Sequence, residues 1–387
     1  MRLNRRDFIK LGAAGTSLLS LPSVSKSEKL QGEVKIGDFS PETGKKRQAI
    51  PSACWQCVSR DGIICYLEDC RLVKIEGNPN LPRTNGKLCA RGQAGINQLY
   101  NPDRLLYPLK RVGKRGEGLW KRISWEKAIE ELTSKLKEII DSGHPEEIMF
   151  HYGRMKASSS KIIKDYFLAA LGTKTIGNHT SVCEGGKWTA QELVWGKHYD
   201  VNDVSHTNMI LNFGSNVLEA HTSHLPFAQR LIRAVVERGV KMYTFDVRLS
   251  NTAAKSTEWI PIKPGTDGAV ALAMCHVIMN RGLYDKEFIN TWTNVTPSQL
   301  KKHLKPYTPK WAEKISGMKA EKIESLAVEF AKARPGTSIS YRGAIAHYNG
   351  NETERAIKML DAICGYIDVK GGTCKAVAAK WKNSFKL

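Results

Sequence analysis

The stretch ACWQCVSRDGIICYLED, residues 53–69, and its sequel GKLCARG at 86–92 decide how this sequence is read. Cys54 and Cys57 form a Cys-x2-Cys pair, Asp61 follows after three intervening residues, and Cys89 after twenty-seven more. Two thiolates on one tight turn, a further donor a turn later and a distant fourth can surround an iron–sulfur cube. Four mixed ligands equally suit tetrahedral zinc, and the carboxylate does not decide between the two. Between the donors lies IICYLEDCRLVKIEGNP, short β-forming runs with turn signals at Glu68-Asp69 and Gly77-Asn78-Pro79. A small β meander closed by a metal group is therefore expected over 49–110.

The rest of the composition agrees with cofactor chemistry. Nine cysteines, an odd number in a chain of 387 residues, do not suggest a disulfide framework. An apolar share of 41% belongs to a soluble globular class, and the length suffices for two or three domains. The net charge of +21 comes from lysines and arginines scattered along the chain. With no long basic run and no aromatic-interleaved patch, a nucleic-acid partner is not expected; a basic surface suited to anions is.

The chain opens LNRRDFIKLGAAGTSLLSLPSVS, in which Arg5, Arg6, Phe8, Ile9 and Lys10 precede a mildly apolar run too short to span a bilayer. This pattern over 1–25 resembles a twin-arginine export signal, an address read by a receptor and not an anchor. It implies export of the folded, cofactor-loaded chain to the periplasm or the outer face of the cytoplasmic membrane. Residues 26–48 read as a polar linker.

Farther along, helical and strand periods alternate. ISWEKAIEELTSKLKEII (123–140) reads as a helix capped by Ser124, with Glu126 in its first turn. A strand in IMFHYGRM (148–155) precedes a helix closed by Gly172. Strands are then expected in NMILNFGSN (208–216) and VKMYTFDVR (240–248), with a helix to about Arg238 between them. WIPIKPGTDG leads into the helix AVALAMCHVIMNRG. Such alternation predicts an α/β fold: doubly wound parallel sheets with helices on both faces, behind the small β-rich domain.

Three motifs fall at strand ends, where backbone amides and helix starts meet ligands. Gly214, Ser215 and Asn216 are placed to receive phosphate. Asp246, with Arg248 and Ser250 nearby, suits a ribose hydroxyl or a guanine edge. Gly265 and Thr266 allow close backbone approach, and Asp267 can accept from a guanine amino group. Each motif alone is common in α/β domains. Nicotinamide dinucleotides are the rival ligand, but no G-x-G-x-x-G follows the first strand.

The run CWQC…DGI…RLVKIEGNPNLP…TNGKLCARG resembles the N-terminal cluster segment of the molybdopterin oxidoreductases of the dimethyl-sulfoxide-reductase superfamily. In that family the spacing is commonly Cys-x2-Cys-x3-Cys-x27-Cys followed by a basic residue. Cys54, Cys57 and Cys89 match the cysteines of a [4Fe-4S] cluster, Arg91 matches the basic residue between cluster and pterin, and Asp61 stands at the third cysteine. The fourth ligand is then Asp61, in register before Gly62-Ile63, or Cys65 swung in to replace it. The other choice leaves Cys65 and Cys70 as core cysteines in small strands.

By the same resemblance the three strand-end motifs are the molybdopterin guanine dinucleotide site. Cys183 in GNHTSVCEGG (177–186) is the ligand of molybdenum or tungsten; from its place in the same loop, His179 is expected to contact either a substrate oxygen or a group that supports the metal's ligands. YRGAIAHYNGNETERAIKMLDAICGYIDVKGGT (341–373) also resembles the family. The domains expected are 49–110 for the cluster, 179–332 for the dinucleotide, and 111–178 with 333–387 as a discontinuous, incomplete α/β domain. Family catalytic subunits run to roughly twice this length and place a second dinucleotide site in a C-terminal domain absent here. The resemblance thus implies the N-terminal half of an exported enzyme carrying bis(molybdopterin guanine dinucleotide). Its chemistry would be two-electron or oxygen-atom transfer on a sulfur or arsenic oxyanion or polysulfide, with formate or nitrate as alternatives. Its partners would be a ferredoxin-like iron–sulfur subunit, a membrane quinone-linked anchor and a separate C-terminal half. The competing expectation is a non-catalytic iron–sulfur and nucleotide-binding module, or an inactive fragment of a split reading frame.

Overall fold

The computed structural model describes residues 44–153, 162–222 and 224–376. The twin-arginine segment, the linker as far as residue 43 and the tail from 377 lie outside the described residues. The chain divides into two compact units at Arg47/Gln48, and the following concerns the unit from Gln48 onward.

Strands Gln48–Ala53, Gly62–Glu68 and Arg71–Gly77 form the expected antiparallel meander. Its hairpin pairs Glu68 with Arg71 and turns through Asp69 and Cys70, whose φ angles are 49° and 62°. Positive φ at both central residues gives the turn the twist that two right-twisted strands need. The expectation that Cys70 is a core cysteine is therefore corrected: a two-residue turn puts it outside the sheet, and it is exposed. Cys65 lies mid-strand, paired with Ile50 and Ile75, and is half-buried. At the meander's end a Cβ on Gly77 would sit 2.3 Å from the Gly86 carbonyl oxygen. Only glycine lets the 78–87 loop fold back this closely and bring Cys89 to the meander.

The main sheet has four parallel strands in the order Glu258–Pro261, Lys241–Asp246, Met209–Phe213, Gly336–Ser340. Met209–Phe213 and Gly336–Ser340 are buried along their whole length because both faces of the sheet are covered. Met209, Leu211 and Phe213 pack on one face with helices Asp267–Asn280, Ala320–Ala333 and Gly350–Ile363. Ile210 and Met242 pack on the other with Val217, Phe227 and Leu231. Phe213 and Phe245 stack at 4.5 Å across neighbouring strands. Helices on both faces of a parallel sheet are thus present, as the alternation predicts.

After Met209–Phe213 the chain adds strands in one direction twice, then returns to pair Gly336–Ser340 on the opposite side. In open α/β sheets such a reversal opens a crevice beyond the carboxyl ends of the two strands, where ligands bind. Here the crevice lies between Gly214 and Tyr341.

The helix expected at 123–140 runs Trp125–Asp141, with the Ser124 hydroxyl accepting from the Lys127 amide. Strands Phe150–Tyr152 and Ile176–Asn178 pair in parallel, and the intervening helix ends at Gly172, φ 79°.

Candidate metal and cofactor site

Cys54 and Asp61 close the front loop: the Cys54 amide donates to the Asp61 carbonyl at 2.8 Å. The Ser59 amide donates to Cys57 Sγ at 3.4 Å. Cys89 precedes the short helix Ala90–Gln93 that carries Arg91. Burial raises the Cys54 thiol pKa, and negative charge on Cys57, Cys89 and Asp61 raises it further. Cys57, Cys89 and Asp61 are thus near enough to Cys54 for charge on them to act on its thiol. The Cys65 thiol is raised by burial alone. Asp61 is buried in the loop that carries Cys54 and Cys57, whereas Cys65 lies mid-strand between Ile50 and Ile75. Asp61 Oδ1 accepts from Ser59 Oγ at 2.7 Å, while Arg83 donates to the Ser59 carbonyl and hydroxyl. Among the described residues no three His, Cys, Asp or Glu side chains converge on a single ion. A four-iron cube takes each ligand on a separate iron, so the donors need not converge on one point, and the three cysteines with Asp61 or Cys65 supply four.

All three strand-end motifs sit on the carboxyl edge of the main sheet. The Gly214 amide, φ 58°, donates to the Phe245 carbonyl, so that amide is already used. Ser215 is buried and its Oγ has no partner among the described residues, and Asn216 Oδ1 accepts from Thr252 Oγ1 at 2.7 Å. Asp246 Oδ2 accepts from Ser250 Oγ at 3.3 Å, and Arg248 lies 3.5 Å from Glu219. Asp267 opens the long buried helix, and its pKa is raised to about 7 by burial, with the nearby Asp246 charge adding to the effect. Gly265 has φ 74°, and Thr266 Oγ1 donates to the Lys263 carbonyl. An orphaned serine hydroxyl and two neighbouring carboxylates on one sheet edge fit a ligand rich in hydroxyl and amino donors.

The Cys183 loop meets this edge at the crevice. Asn178 Oδ1 accepts from the Thr180 amide, and the Cys183 amide donates to the Thr180 carbonyl at 3.0 Å. Arg342 donates to the Val182 carbonyl at 3.4 Å, tying the loop to the fourth strand's end. Cys183 is half-buried, and His179 Nδ1 is buried without a partner among the described residues. A buried ring nitrogen with hydrogen-bonding capacity to spare, in the loop that carries Cys183, fits a ligand held there.

Residues without a usable sequence signal complete the site. Glu184 Oε1 accepts from the Tyr199 hydroxyl at 2.8 Å. Burial raises the pKa values of Tyr199 and Tyr341, and Glu184 raises both further. The His221 ring stands 5.1 Å from the Tyr341 ring and 5.0 Å from that of Phe227. Burial lowers the His221 pKa to about 4, with Lys187 adding to it, so the imidazole is neutral at neutral pH. His224 is buried one turn on; burial lowers its pKa, Arg91 lowers it further, and Asp61 opposes them. The His224 amide donates to the His221 carbonyl at 3.0 Å and the His221 ring meets that of Tyr341, while the Arg91 charge acts on His224 and the Cys183 charge on Tyr341. The three-residue spacing of His221 and His224 was the available signal, and it is too common to select them.

Comparison with known proteins follows the same division. The molybdopterin oxidoreductase Fe4S4 domain model matches residues 47–101, and the molybdopterin oxidoreductase model matches residues 104–381. The thiosulfate reductase molybdopterin-containing subunit of Salmonella typhimurium is 32% identical over 378 residues, 96% of this chain and 47% of the relative. The arsenate respiratory reductase molybdopterin-containing subunit of Chrysiogenes arsenatis is 28% identical over 98% of this chain and 47% of the relative. Among solved structures, acetylene hydratase from Pelobacter acetylenicus aligns with a TM-score of 0.74 and 27% identity, covering 84% of this chain and 44% of that one. The chain spans about half the length of the curated relatives it matches. It belongs to the molybdopterin oxidoreductase family, with a [4Fe-4S] domain at its front and the molybdopterin domain behind it.

Proposed function

We propose that this chain is one half of an exported molybdenum or tungsten oxidoreductase that acts on a small anion. The observation that carries the reading is the front cysteine set inside the matched iron–sulfur domain, 47–101, followed by the matched molybdopterin domain, 104–381, that holds Cys183. When bound, the pterin-held metal supplies two-electron or oxygen-atom chemistry and the cluster supplies single-electron steps. The chain's own residues bind and orient. Cys183 offers a soft thiolate to the metal, and Cys54, Cys57, Cys89 and Asp61 hold the cluster. His179 Nδ1 hydrogen-bonds a substrate oxygen. Arg91 carries fixed positive charge between the two centres. The three strand ends hold the guanine dinucleotide, with Asp246 and Asp267 accepting from its hydroxyl and amino groups.

A sulfur or arsenic oxyanion, or polysulfide, is the substrate class favoured, because the relatives named above are a thiosulfate and an arsenate reductase. Formate and nitrate are the alternatives. The net charge of +21 suits an anionic substrate. Export rests on Arg5-Arg6 and the following apolar run. A ferredoxin-like iron–sulfur subunit and a quinone-linked membrane anchor would complete the electron path. One observation favours a second reading without net redox change: the solved structure named above is a hydratase, and a fold does not fix a reaction.

Metal and pterin analysis of anaerobically purified protein, with spectroscopy in both redox states, tests this. About four irons per chain with stoichiometric molybdenum or tungsten is expected. Iron without the heavier metal would leave only a cluster module, and zinc alone would overturn the cluster as well.

A further inference from the structure

No basic run in the chain is long, yet one segment concentrates cations. Residues 301–322, KKHLKPYTPKWAEKISGMKAEK, hold seven lysines against two glutamates. Most of them lie on or beside two successive helices, Pro297–Leu304 and Pro309–Ser316. Leu300, Leu304 and Ala312 turn inward and join the core around helix Asp267–Asn280, so the polar positions of both helices face outward. Lys319 pairs with Glu313 and Lys322 with Glu258. The other five, Lys301, Lys302, Lys305, Lys310 and Lys314, are exposed and make no ion pair among the described residues.

The contrast with helix Trp125–Asp141 is direct. There Lys127, Lys135 and Lys137 each meet a carboxylate three or four residues on. Here Lys310 and Lys314 stand four apart on one helix, a like-charge spacing that opposes helix formation. Such a face is stabilised by anions from outside the chain.

Aromatic side chains adjoin these lysines. The rings of His303, Tyr307 and Trp311 meet edge to face at 5.7 and 5.1 Å, bridging the two helices. Trp292, at the end of the neighbouring helix Lys286–Trp292, is 76% exposed. Tryptophan and tyrosine settle at the headgroup level of bilayers. Clusters of about four to eight cations on amphipathic helices mark contact with anionic lipid.

An acidic protein is the rival occupant, and the choice of cation disfavours it. Residues 282–333 contain no arginine. Protein interfaces are enriched in arginine, whose planar fork suits fixed carboxylates, and depleted in lysine. Lysine is a hydrated point charge on a flexible stem, suited to a mobile layer of phosphates. No helix among the described residues is long and apolar enough to cross a membrane, so the contact is with the surface layer. We infer that the face carrying Lys301, Lys302, Lys305, Lys310 and Lys314 docks this protein on a bilayer rich in anionic phospholipid. The inference does not depend on the metal assignment.

The probes are vesicles of phosphatidylglycerol mixed with phosphatidylcholine, and vesicles of phosphatidylcholine alone, with the full chain throughout. Cosedimentation with the anionic vesicles only is expected, released by salt at about 0.5 M. Each lysine at an anionic surface is worth roughly a fivefold change in binding, so Lys302→Gln, Lys305→Gln and Lys310→Gln together should weaken it about a hundredfold. Lys127→Gln, Lys135→Gln and Lys137→Gln together remove the same charge elsewhere and leave Arg5 and Arg6 in place in both variants. That control should change binding by less than about threefold, because charges beyond a Debye length are screened. Circular dichroism melts check that both variants fold. Equal losses in the two variants would show that net charge alone drives adsorption and would overturn the inference, as would equal binding to neutral vesicles or binding to neither. Soluble polyglutamate that binds the chain and is lost in the first variant, while vesicle binding persists, would assign the face to an acidic protein and overturn it too.

Discussion

Lys187 Nζ stands 2.9 Å from Asp200 Oδ1, with neither side chain more than 5% exposed. Lys358 holds the other carboxylate oxygen at 2.8 Å, and Lys187 also donates to the Ser340 carbonyl. Burial opposes ionisation of Asp200, but the two ammonium groups overcome it and hold its pKa below the usual carboxylate range. Lys187 lies one turn beyond Cys183, and Ser340 immediately precedes Tyr341. The network therefore fixes the metal-binding loop against the fourth strand's end. Lys187→Met removes one cation and leaves Asp200 half-compensated. Losing one partner of a buried pair costs about 3–5 kcal/mol, so a large fall in the urea midpoint is expected. A change below about 1 kcal/mol, the range of exposed pairs, would show that the network is solvated.

Asp267 gives the apoprotein a pH dependence with a definite sign. Its folded pKa, about 7, exceeds the unfolded carboxylate value, so the folded state binds more protons in between. Its contribution to stability is full below about pH 4 and is lost as pH rises through about 7. Wild-type stability should therefore fall relative to Asp267→Asn between pH 5 and pH 8, by up to roughly 1.4 kcal/mol per pH unit within the window. Denaturant melts of both proteins at the two pH values measure it. Parallel trends would show that this carboxyl is not held neutral.

Gly343 and Gly214 meet backbone to backbone at the crevice, with the Gly343 amide donating to the Gly214 carbonyl at 3.2 Å. A Cβ at Gly343 would stand 2.2 Å from the Gly214 oxygen, and no side-chain rotation relieves a clash between backbones. Gly343→Ala should destabilise the domain by about 1–3 kcal/mol through forced backbone shift. Gly239→Ala is the control for glycine loss as such: its Cβ would meet nothing within 4 Å, though its φ of 67° adds backbone strain. Gly343→Ala should exceed it in thermal melts.

Legibility in the sequence followed the distance over which each feature is encoded. The strands at 209–213 and 241–246 are local apolar runs, and their ends carried Gly214, Asp246 and Asp267 with them. Ser124 announced its helix because a cap acts within one turn. Cys70 was misplaced because the sequence does not show which two residues of LEDCR form the turn. The Lys187–Asp200–Lys358 network and the His221–Tyr341 contact join positions more than a hundred residues apart or on different elements. No periodicity encodes such pairs; only the sheet's reversal of strand order brings them together.

The oxygen donor at the cluster is testable residue by residue. The Asp61 carbonyl accepts from the Cys54 amide, whereas Cys65 lies within a paired strand that would have to open for its sulfur to reach the set. Cys65→Ala should therefore keep the iron content and the paramagnetic signal of the reduced cluster. Asp61→Asn keeps an oxygen for Ser59 to donate to, so the loop should fold, but it removes the anionic ligand. Iron should fall well below four per chain, or a three-iron signal should replace the four-iron one. Asp61→Cys should restore the iron with a shifted reduction potential, since ligand identity and net charge are among the controls on it. If Cys65→Ala loses the cluster while Asp61→Asn retains it, the strand opens after all and sulfur, not carboxylate, is the fourth ligand.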